Sequence, residues 1–213
     1  MQAAETLKAW THRLLPPWRL RRRRHARAHG PHLVPPDIPG DDPVADDFEP
    51  LAWTPERIRL VQQLWGPGLT RPGGEAYLLE LVKLLDLSEA KSMLDLSAGL
   101  GGVARLYAGR YGVWVSAYET EPELIEIANK KAAEDDNLKK KASVQPFDPE
   151  TARFKPEGFH LAFGRDCLYT VKDKPRLIGA IQEGMKKSGD LLLMDFVLPP
   201  GGQETEELRT WRE

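Results

Sequence analysis

The sequence predicts an α/β fold in which helices cover both faces of a parallel sheet. Three observations support this prediction. Short apolar segments alternate with helical patterns beyond residue 50, a glycine-rich loop separates one apolar segment from a helix, and residues 190–197 are rich in apolar side chains. Parallel strands buried on both faces have this composition, and alternation of strands with helices is typical of such sheets.

The 213 residues divide near residue 50 into two parts. Residues 1–50 contain repeated prolines, which predict a long and mostly irregular N-terminal arm. Residues 51–213 carry the alternating pattern and predict one folded domain. A domain of about 150 residues buries roughly 70% of its unfolded surface, which is enough for a hydrophobic core.

The N-terminal arm is basic first and acidic afterwards. Residues 1–32 hold eight Lys or Arg and one acid, whereas residues 37–49 hold six acids and no base. The basic cluster between Arg19 and Arg27 leaves three hypotheses open: a solvated tail neutralised by the acidic stretch, a docking segment for a partner protein, or an anchor on an anionic membrane surface or nucleic acid. The net charge of −2 favours neither nucleic acid nor membrane as a partner.

Composition excludes several classes of protein. Cys167 is the single cysteine, so an intrachain disulfide is excluded, and the lack of a CxxC motif disfavours a structural zinc site. No apolar run reaches the ~18 residues that span a bilayer, and residues 1–32 lack the apolar core of a signal peptide. We therefore expect a cytoplasmic location, with peripheral membrane attachment left open.

Two helices are predicted before the first strand. Thr54 can cap the first, Pro55 suits its first turn, and Gly66 ends it. The second is expected from Gly74 to about Leu87. Its predicted buried stripe consists of Tyr77, Leu78, Leu81, Val82 and Leu85.

Five strands and three further helices are predicted beyond this point. The strands are expected at 93–96, 113–118, 143–147, 159–163 and 190–197, and the first helix at 103–110. Thr120 and Glu123 have the spacing of a capping box and predict the start of the next helix. The last helix is expected to open at Asp173 and to end at the Lys186–Gly189 segment, where cations precede a glycine.

The segment DLSAGLGG, residues 95–102, joins the first predicted strand to a helix. Glycines there let the backbone approach a ligand closely, and Glu119 ends the next strand, where a carboxylate can bind ribose hydroxyls. Gly99-x-Gly101-x-x-Ala104 also fits a dinucleotide fingerprint. Two details favour S-adenosylmethionine (SAM): Asp95 precedes the glycines, and no second mononucleotide-binding half follows the fifth strand.

Several segments resemble class I SAM-dependent methyltransferases, above all small-molecule N-methyltransferases of the phosphoethanolamine type. They are MLDLSAGLGGVAR (93–105), YETEPELIEIA (118–128), Pro72-Gly73-Gly74, Gly164-Arg165-Asp166 and LLLMDF (191–196). The resemblance implies a Rossmann-like class I methyltransferase sheet with SAM as the cofactor. Because only residues 198–213 follow the fifth strand, we expect the last two strands of that fold to be missing.

The resemblance also implies roles for individual residues. The residues expected around the methionine part of SAM, with Gly73 as a further cofactor residue, are Asp95, Ser97, Gly99 and Gly101. Glu119 is expected at the ribose and Thr120 beside the adenine. Asp148 is expected to accept a hydrogen bond from the adenine amine, and Arg165 is expected on the cofactor side. Ser97 replaces the glycine usual in the family, which is expected to tighten the loop. The alternative for Asp148 is that it is an ordinary loop aspartate without a role at the cofactor. The alternative for Arg165 and Asp166 is that they form an ion pair at the end of the strand.

The acceptor site departs from the family. Its Tyr–His pair falls on Trp53 and Thr170, neither of which can act as the same base, so Trp53, Asp166 and Thr170 are the acceptor-side candidates. Trp53 can stack on a cation, close the pocket or anchor the first helix. We predict methyl transfer to a small amine or lipid-like acceptor; the alternative is a truncated, non-catalytic interaction protein docked through its arm. Residues 164–167 lack the D/N-P-P-Y/F motif, which disfavours methylation of nucleic acid bases.

Overall fold

The computed structural model describes residues 52–197 and Glu206. In this part of the chain, two helices precede the first strand, and helices separate the later strands except between the third and the fourth. The elements in order are α1 (Pro55–Trp65), α2 (Gly74–Val82), β1 (Ser92–Asp95), α3 (Gly102–Tyr111), β2 (Trp114–Glu119), α4 (Pro122–Ala132), α5 (Asp136–Lys141), β3 (Val144–Pro146), β4 (Phe159–Arg165), α6 (Lys174–Gly184) and β5 (Met185–Met194). The α/β fold predicted from the sequence is confirmed.

The five strands form a single parallel sheet in the order β3-β2-β1-β4-β5. The chain builds outward from β1 to β3 and then returns to place β4 on the other side of β1. The direction of winding therefore reverses between β1 and β4. In open α/β sheets, ligands bind outside the carboxyl ends of the strands at such a point. Asp95 and Arg165 are the last residues of these two strands.

Hydrophobic side chains pack on both faces of the sheet. Met93 and Phe163 join a cluster on one face with Tyr107, whereas Leu94 and Leu177 belong to a separate cluster. Met93 and Leu94 are neighbours in a strand, so they point to opposite faces. Each buried side chain of this size contributes about 1.5–3 kcal/mol. The two clusters hold β1 rigidly, and with it the residue at its end.

The first two helices confirm the predicted starts and correct one burial assignment. Thr54 Oγ1 accepts a hydrogen bond from the Arg57 N–H at 3.3 Å, and Gly66 caps the end of α1. Helix α2 ends at Val82 rather than near Leu87. Tyr77 was placed in the buried stripe, but it is 40% exposed because its ring lies over Gly73 instead of the core.

The predicted capping box at Thr120 does not form. Glu121 is the N-cap of α4 and makes no side-chain cap hydrogen bond. The Thr120 N–H and hydroxyl both donate to Glu119 Oε1 instead, at 2.8 and 3.2 Å. The short helix α5 was not predicted; the Asp135 side chain caps it by accepting from the N–H groups of Asn137 and Leu138.

The boundary between the last helix and the last strand was predicted too late in the sequence. Helix α6 ends at Gly184, and the residues from Lys186 to Gly189 lie in β5 rather than in the helix. The Glu157 and Gly158 N–H groups donate to the carbonyls of Glu183 and Gly184, which stops the helix there. The β4–β5 register shifts between Phe159 and Leu161, so the extra residues of β5 form an irregularity.

Helices long and apolar enough to cross a membrane are absent from the described residues. The predicted arm and its basic cluster between Arg19 and Arg27 lie outside those residues, as does most of the segment after β5. The domain boundary near residue 50 and the missing last two strands therefore stay predictions.

Candidate functional site

The glycine loop between β1 and α3 is shaped by two residues with left-handed backbone. Gly99 has φ 54° and Gly101 has φ 73°, a region that side chains other than glycine rarely occupy. A Cβ on Gly99 would lie 2.5 Å from Thr70 Oγ1. Thr70 belongs to residues 66–73, the segment between α1 and α2, which we call the strap. The glycines thus let the strap lie directly against the loop.

Asp95 is fully buried at the end of β1. Its Oδ1 accepts hydrogen bonds from the Ser97 N–H at 2.9 Å and the Ser97 hydroxyl at 3.2 Å, whereas its Oδ2 has no partner. Burial raises the pKa of Asp95 from 3.8 to about 6, opposed by the Ser97 hydrogen bonds and by nearby Arg71. A buried carboxylate with one unpaired oxygen requires a donor, which a ligand ammonium group would supply.

Glu119 ends β2 and is 7% exposed. Its Oε2 accepts a hydrogen bond from the Gly99 N–H at 2.6 Å, and its Oε1 accepts from the N–H groups of Thr120 and Glu121 at 2.8 and 3.3 Å. The carboxylate therefore joins the glycine loop to the start of α4. Thr120, expected beside the adenine, lies next to it and is exposed.

The strap is held against the site by hydrogen bonds that it accepts and by hydrogen bonds that it donates. The Gly102 N–H at the start of α3 donates to the Gly68 carbonyl at 3.0 Å. Arg71 Nη1 donates to the Ser97 carbonyl at 3.1 Å, and Arg71 Nε lies 3.7 Å from Asp166 Oδ2. The strap, the glycine loop and the end of β4 thus line one small cavity, whose wall includes Thr70, Arg71, Ser97 and Arg165.

Arg165 is buried at the end of β4 and points toward the strap. Its Nη2 donates to the Pro72 carbonyl at 2.6 Å, and its guanidinium carbon lies 6.0 Å from the centre of the Tyr77 ring. Burial is the main cause that lowers the pKa of Arg165. Asp166 follows with a left-handed backbone, φ 48°, and its ion pair is with Arg71.

The remaining candidates lie in different surroundings. Asp148 is exposed, and its two oxygens accept from the Glu150 N–H at 2.8 Å and the Thr151 hydroxyl at 3.0 Å, as in a local turn. Trp53 packs against the cluster of Ile58, Leu100 and Leu124, with the Arg57 guanidinium 4.1 Å from its ring centre. Thr170 is exposed in the turn between β4 and α6. Gly73, the N-cap of α2, lies beneath Tyr77.

Sequence reasoning missed Arg71 and Tyr77. The Tyr77 hydroxyl donates to Met194 Sδ at 3.5 Å, above the end of β5. Arg71 directly precedes Pro72-Gly73-Gly74, one of the segments that carry the family resemblance, so its position in the sequence was a usable signal. Burial raises the pKa of the single cysteine, Cys167, to about 12, which leaves it without thiolate character near neutral pH.

A parallel sheet with a glycine loop and a buried acid at the ends of neighbouring strands is typical of Rossmann-like domains, a class that binds nucleoside-bearing ligands at this edge of the sheet. The sequence profile of the family described as "Methyltransferase domain" matches residues 71–213, about two thirds of the chain. The chain belongs to this methyltransferase domain family.

Curated relatives include phosphoethanolamine N-methyltransferases. The chain is 25% identical over 167 residues to phosphoethanolamine N-methyltransferase 2 of Caenorhabditis elegans, covering 78% of this chain and 38% of that protein. It is 26% identical over 151 residues to the enzyme of Triticum aestivum, covering 70% of this chain and 29% of the relative. The chain therefore spans less than two fifths of the length of either relative.

Solved structures show the same fold. Haemonchus contortus phosphoethanolamine N-methyltransferase 2, solved in complex with SAM, superposes with a TM-score of 0.63 at 25% identity, over 72% of this chain and 35% of that chain. A putative sarcosine dimethylglycine methyltransferase from Galdieria sulphuraria superposes with a TM-score of 0.57 at 16% identity, over 66% of this chain and 59% of that chain. The comparisons confirm the predicted fold class and the predicted family resemblance.

Proposed function

We propose that this chain binds SAM and transfers a methyl group to a small amine or lipid-like acceptor. The observation that carries the proposal is the unpaired Oδ2 of buried Asp95. It lies beside the glycine loop, which Glu119 anchors, at the point where the direction of winding of the sheet reverses. Membership of the methyltransferase domain family supports it, as do relatives named phosphoethanolamine N-methyltransferase.

The residues present fit this cofactor. Asp95 Oδ2 is available to accept a hydrogen bond from an ammonium group, and Gly99 and Gly101 give the loop the left-handed backbone that its tight turn requires. We assign Glu119 to the ribose hydroxyls; in the structure its Oε2 accepts from the Gly99 N–H. When bound, SAM supplies an electrophilic methyl group on a sulfonium sulfur. The remaining cofactor-side residues in the proposal are Gly73, Ser97, Thr120, Asp148 and Arg165.

In the proposed reaction a lone pair on the acceptor forms the new bond to the methyl carbon while the carbon–sulfur bond breaks. The chain must place an unprotonated acceptor in line and exclude water. The acceptor is proposed to lie beyond the ends of β4 and β5, where Asp166 and Tyr77 are partly exposed. In the proposal the Asp166 carboxylate accepts the proton that the acceptor amine loses, which leaves the nitrogen lone pair free to attack the methyl carbon. Trp53, packed against Leu100 of the glycine loop, covers the neighbouring end of the cofactor site in this proposal.

An apolar rim beside these residues keeps a lipid-like acceptor in the proposal. Phe196 and Val197 are 69% and 87% exposed just after β5. Tyr169 packs edge-on against Phe196, with ring centres 5.4 Å apart. Thr170 follows Tyr169 in the sequence. Exposed aromatic and aliphatic side chains next to a site offer a surface for an acyl or other apolar group.

The non-catalytic alternative rested on Trp53, Thr170 and the short segment after β5. The relatives lend it no support. A protein partner or an anionic membrane surface at the cluster between Arg19 and Arg27 stays a prediction, as do the cytoplasmic location and the disfavoured nucleic acid partner.

The test is calorimetry with SAM, S-adenosylhomocysteine and NAD, followed by transfer of labelled methyl to ethanolamine, phosphoethanolamine and an amine-headed lipid. We expect the two adenosyl compounds to bind, NAD not to bind, and Asp95→Asn to weaken SAM binding. Asp86→Asn is the matched control, because Asp86 has a side chain that is 93% exposed and pairs with Lys91. No SAM binding at millimolar concentration would overturn the proposal.

A further inference from the structure

Ser97 makes hydrogen bonds to three separate parts of the candidate site. Its hydroxyl donates to Asp95 Oδ1 at 3.2 Å and accepts from the Arg165 N–H at 3.0 Å. Its own N–H donates to Asp95 Oδ1 at 2.9 Å, and its carbonyl accepts from Arg71 Nη1 at 3.1 Å. Ser97 is only 6% exposed, and its N–H, carbonyl and hydroxyl groups all have hydrogen-bond partners within the protein.

The hydroxyl is the part that a glycine or alanine at this position would lack. Without it, Asp95 would lose one of its two donors, and the buried Arg165 N–H would lose the acceptor that the structure gives it. Unpaired buried groups are costly, and hydrogen bonds to a charged group are among the stronger ones. Ser97 therefore does more than shape the loop: it joins the end of β1 to the end of β4.

We propose that Ser97 is a positioning residue whose hydroxyl fixes the Asp95 carboxylate with Oδ2 left free for the ammonium group of the cofactor. The same hydroxyl accepts from the Arg165 N–H and so fixes the backbone of Arg165, which precedes the acceptor-side residue Asp166. Ser97 thus acts through Asp95 on cofactor binding and through Arg165 on the acceptor side. This inference rests on the proposed function.

Charge explains why the effect depends on pH. Asp95 binds an ammonium group when it is ionised, and the Ser97 hydroxyl stabilises the ionised form. Burial raises the pKa of Asp95 to about 6, and the hydrogen bond from the Ser97 hydroxyl opposes this rise. Removal of that donor therefore raises the pKa further. The charged or titratable groups that interact with Asp95 from the surrounding elements are Arg71, Glu119, Tyr107 and Cys167.

The direct test is a carbon-13 NMR titration of the Asp95 carboxyl in the cofactor-free chain, assigned with Asp95→Asn. We expect the wild type to titrate near pH 6, Ser97→Ala at a clearly higher pH, and Ser97→Thr, which keeps the hydroxyl, close to the wild type. Equal midpoints for all three would overturn the inference, whether or not SAM binds. This readout separates its failure from the failure of the proposed function.

Calorimetry between pH 5.5 and 7.5 supplies the second readout. There we expect Ser97→Ala to bind SAM about tenfold more weakly than the wild type, with the loss greatest toward low pH. In the Asp95→Asn background, Ser97→Ala should have little further effect on affinity. Melting temperatures show separately whether each variant folds. An affinity loss in Ser97→Ala that is the same at every pH would overturn the positioning role, because it would reflect loop damage alone.

Discussion

The Gly99 N–H donates to Glu119 Oε2 at 2.6 Å, which joins the loop after β1 to the end of β2. Removal of the Glu119 carboxylate would take away the anchor of the loop and the hydrogen-bond acceptor proposed for the ribose hydroxyls. We therefore expect Glu119→Ala to weaken SAM binding at least about tenfold, because hydrogen bonds to a charged group contribute about 1.5–3 kcal/mol each. Calorimetry measures the change.

Glu121→Ala is the control for this prediction. Glu121 is exposed two residues further on, and its side chain makes no cap hydrogen bond. It should bind SAM like the wild type. Unchanged SAM affinity in Glu119→Ala would remove Glu119 from the cofactor site.

Asp95→Asn should separate stability from binding. Burial raises the pKa of Asp95 from 3.8 to about 6, so the folded state holds this proton more tightly than the unfolded state. The stabilisation that results is present below pH 3.8 and is lost as the pH rises through about 6. The rise corresponds to about 3 kcal/mol. Asp95→Asn is therefore expected to be more stable than the wild type at pH 7.5 by up to that amount, although it binds SAM poorly.

Urea unfolding of the cofactor-free chain at pH 4.5 and 7.5 tests this sign. The stability difference between Asp95→Asn and the wild type should be small at the lower pH and larger at the higher. Asp86→Asn, at an exposed carboxylate, should show no such trend. A variant that is less stable than the wild type at both values would contradict the assigned cost of the buried charge.

The parts of the site that lie close together in sequence could be predicted from it. Asp95 and the loop glycines follow one another directly, and Glu119 comes after a single helix and strand. Strand-end positions in a parallel sheet meet at one edge, so the motif spacing was enough to bring these residues together. The same local rule predicted α1, because Thr54, Pro55 and Gly66 mark its ends.

The interactions that sequence reasoning missed join distant residues. Arg165 meets the Pro72 carbonyl across 93 positions, and Tyr77 meets Met194 across 117. An amphipathic pattern placed Tyr77 in the core, but a pattern cannot show that Gly73 leaves room for its ring. The end of α6 was misplaced for the same reason, since hydrogen bonds from Glu157 and Gly158 decide it.

Gly102→Ala tests the contact between the strap and the first turn of α3. A Cβ on Gly102 would overlap the Gly68 carbonyl oxygen and lie 3.0 Å from Leu69 Cδ2. Overpacking of this kind costs about 1–3 kcal/mol, which should outweigh the higher helix propensity of alanine. We expect lower stability and weaker SAM binding, because the strap must move away from the loop.

Gly109→Ala, in the same helix, is the matched control. Its Cβ would lie 3.9 Å from Leu138 Cδ2, an ordinary contact. This variant should gain stability, by up to about 1 kcal/mol, from helix propensity alone. If both variants gained stability in thermal unfolding, the strap would not be packed against α3 as described.

Tyr107→Phe should lower stability and leave turnover unchanged, whereas Tyr77→Phe should lower turnover with little effect on stability. The buried Tyr107 hydroxyl donates to the Leu78 carbonyl at 2.7 Å, joining α3 to α2. Its removal should cost about 1–3 kcal/mol of stability, because the carbonyl loses this donor. The Tyr77 hydroxyl is partly exposed and donates only to a thioether, so its removal should cost little.

The kinetic outcome is the reverse if the acceptor lies beside Tyr77. Tyr77→Phe should leave SAM affinity unchanged and lower kcat/KM for the acceptor about threefold to tenfold, which is the range for one neutral hydrogen bond. Tyr107→Phe should keep kcat/KM below its melting temperature, since its hydroxyl faces α2 and not the ends of β4 and β5. Unchanged acceptor kinetics in Tyr77→Phe would place the acceptor on another side of the site. In that case Asp166, paired with Arg71, would be the residue to vary next.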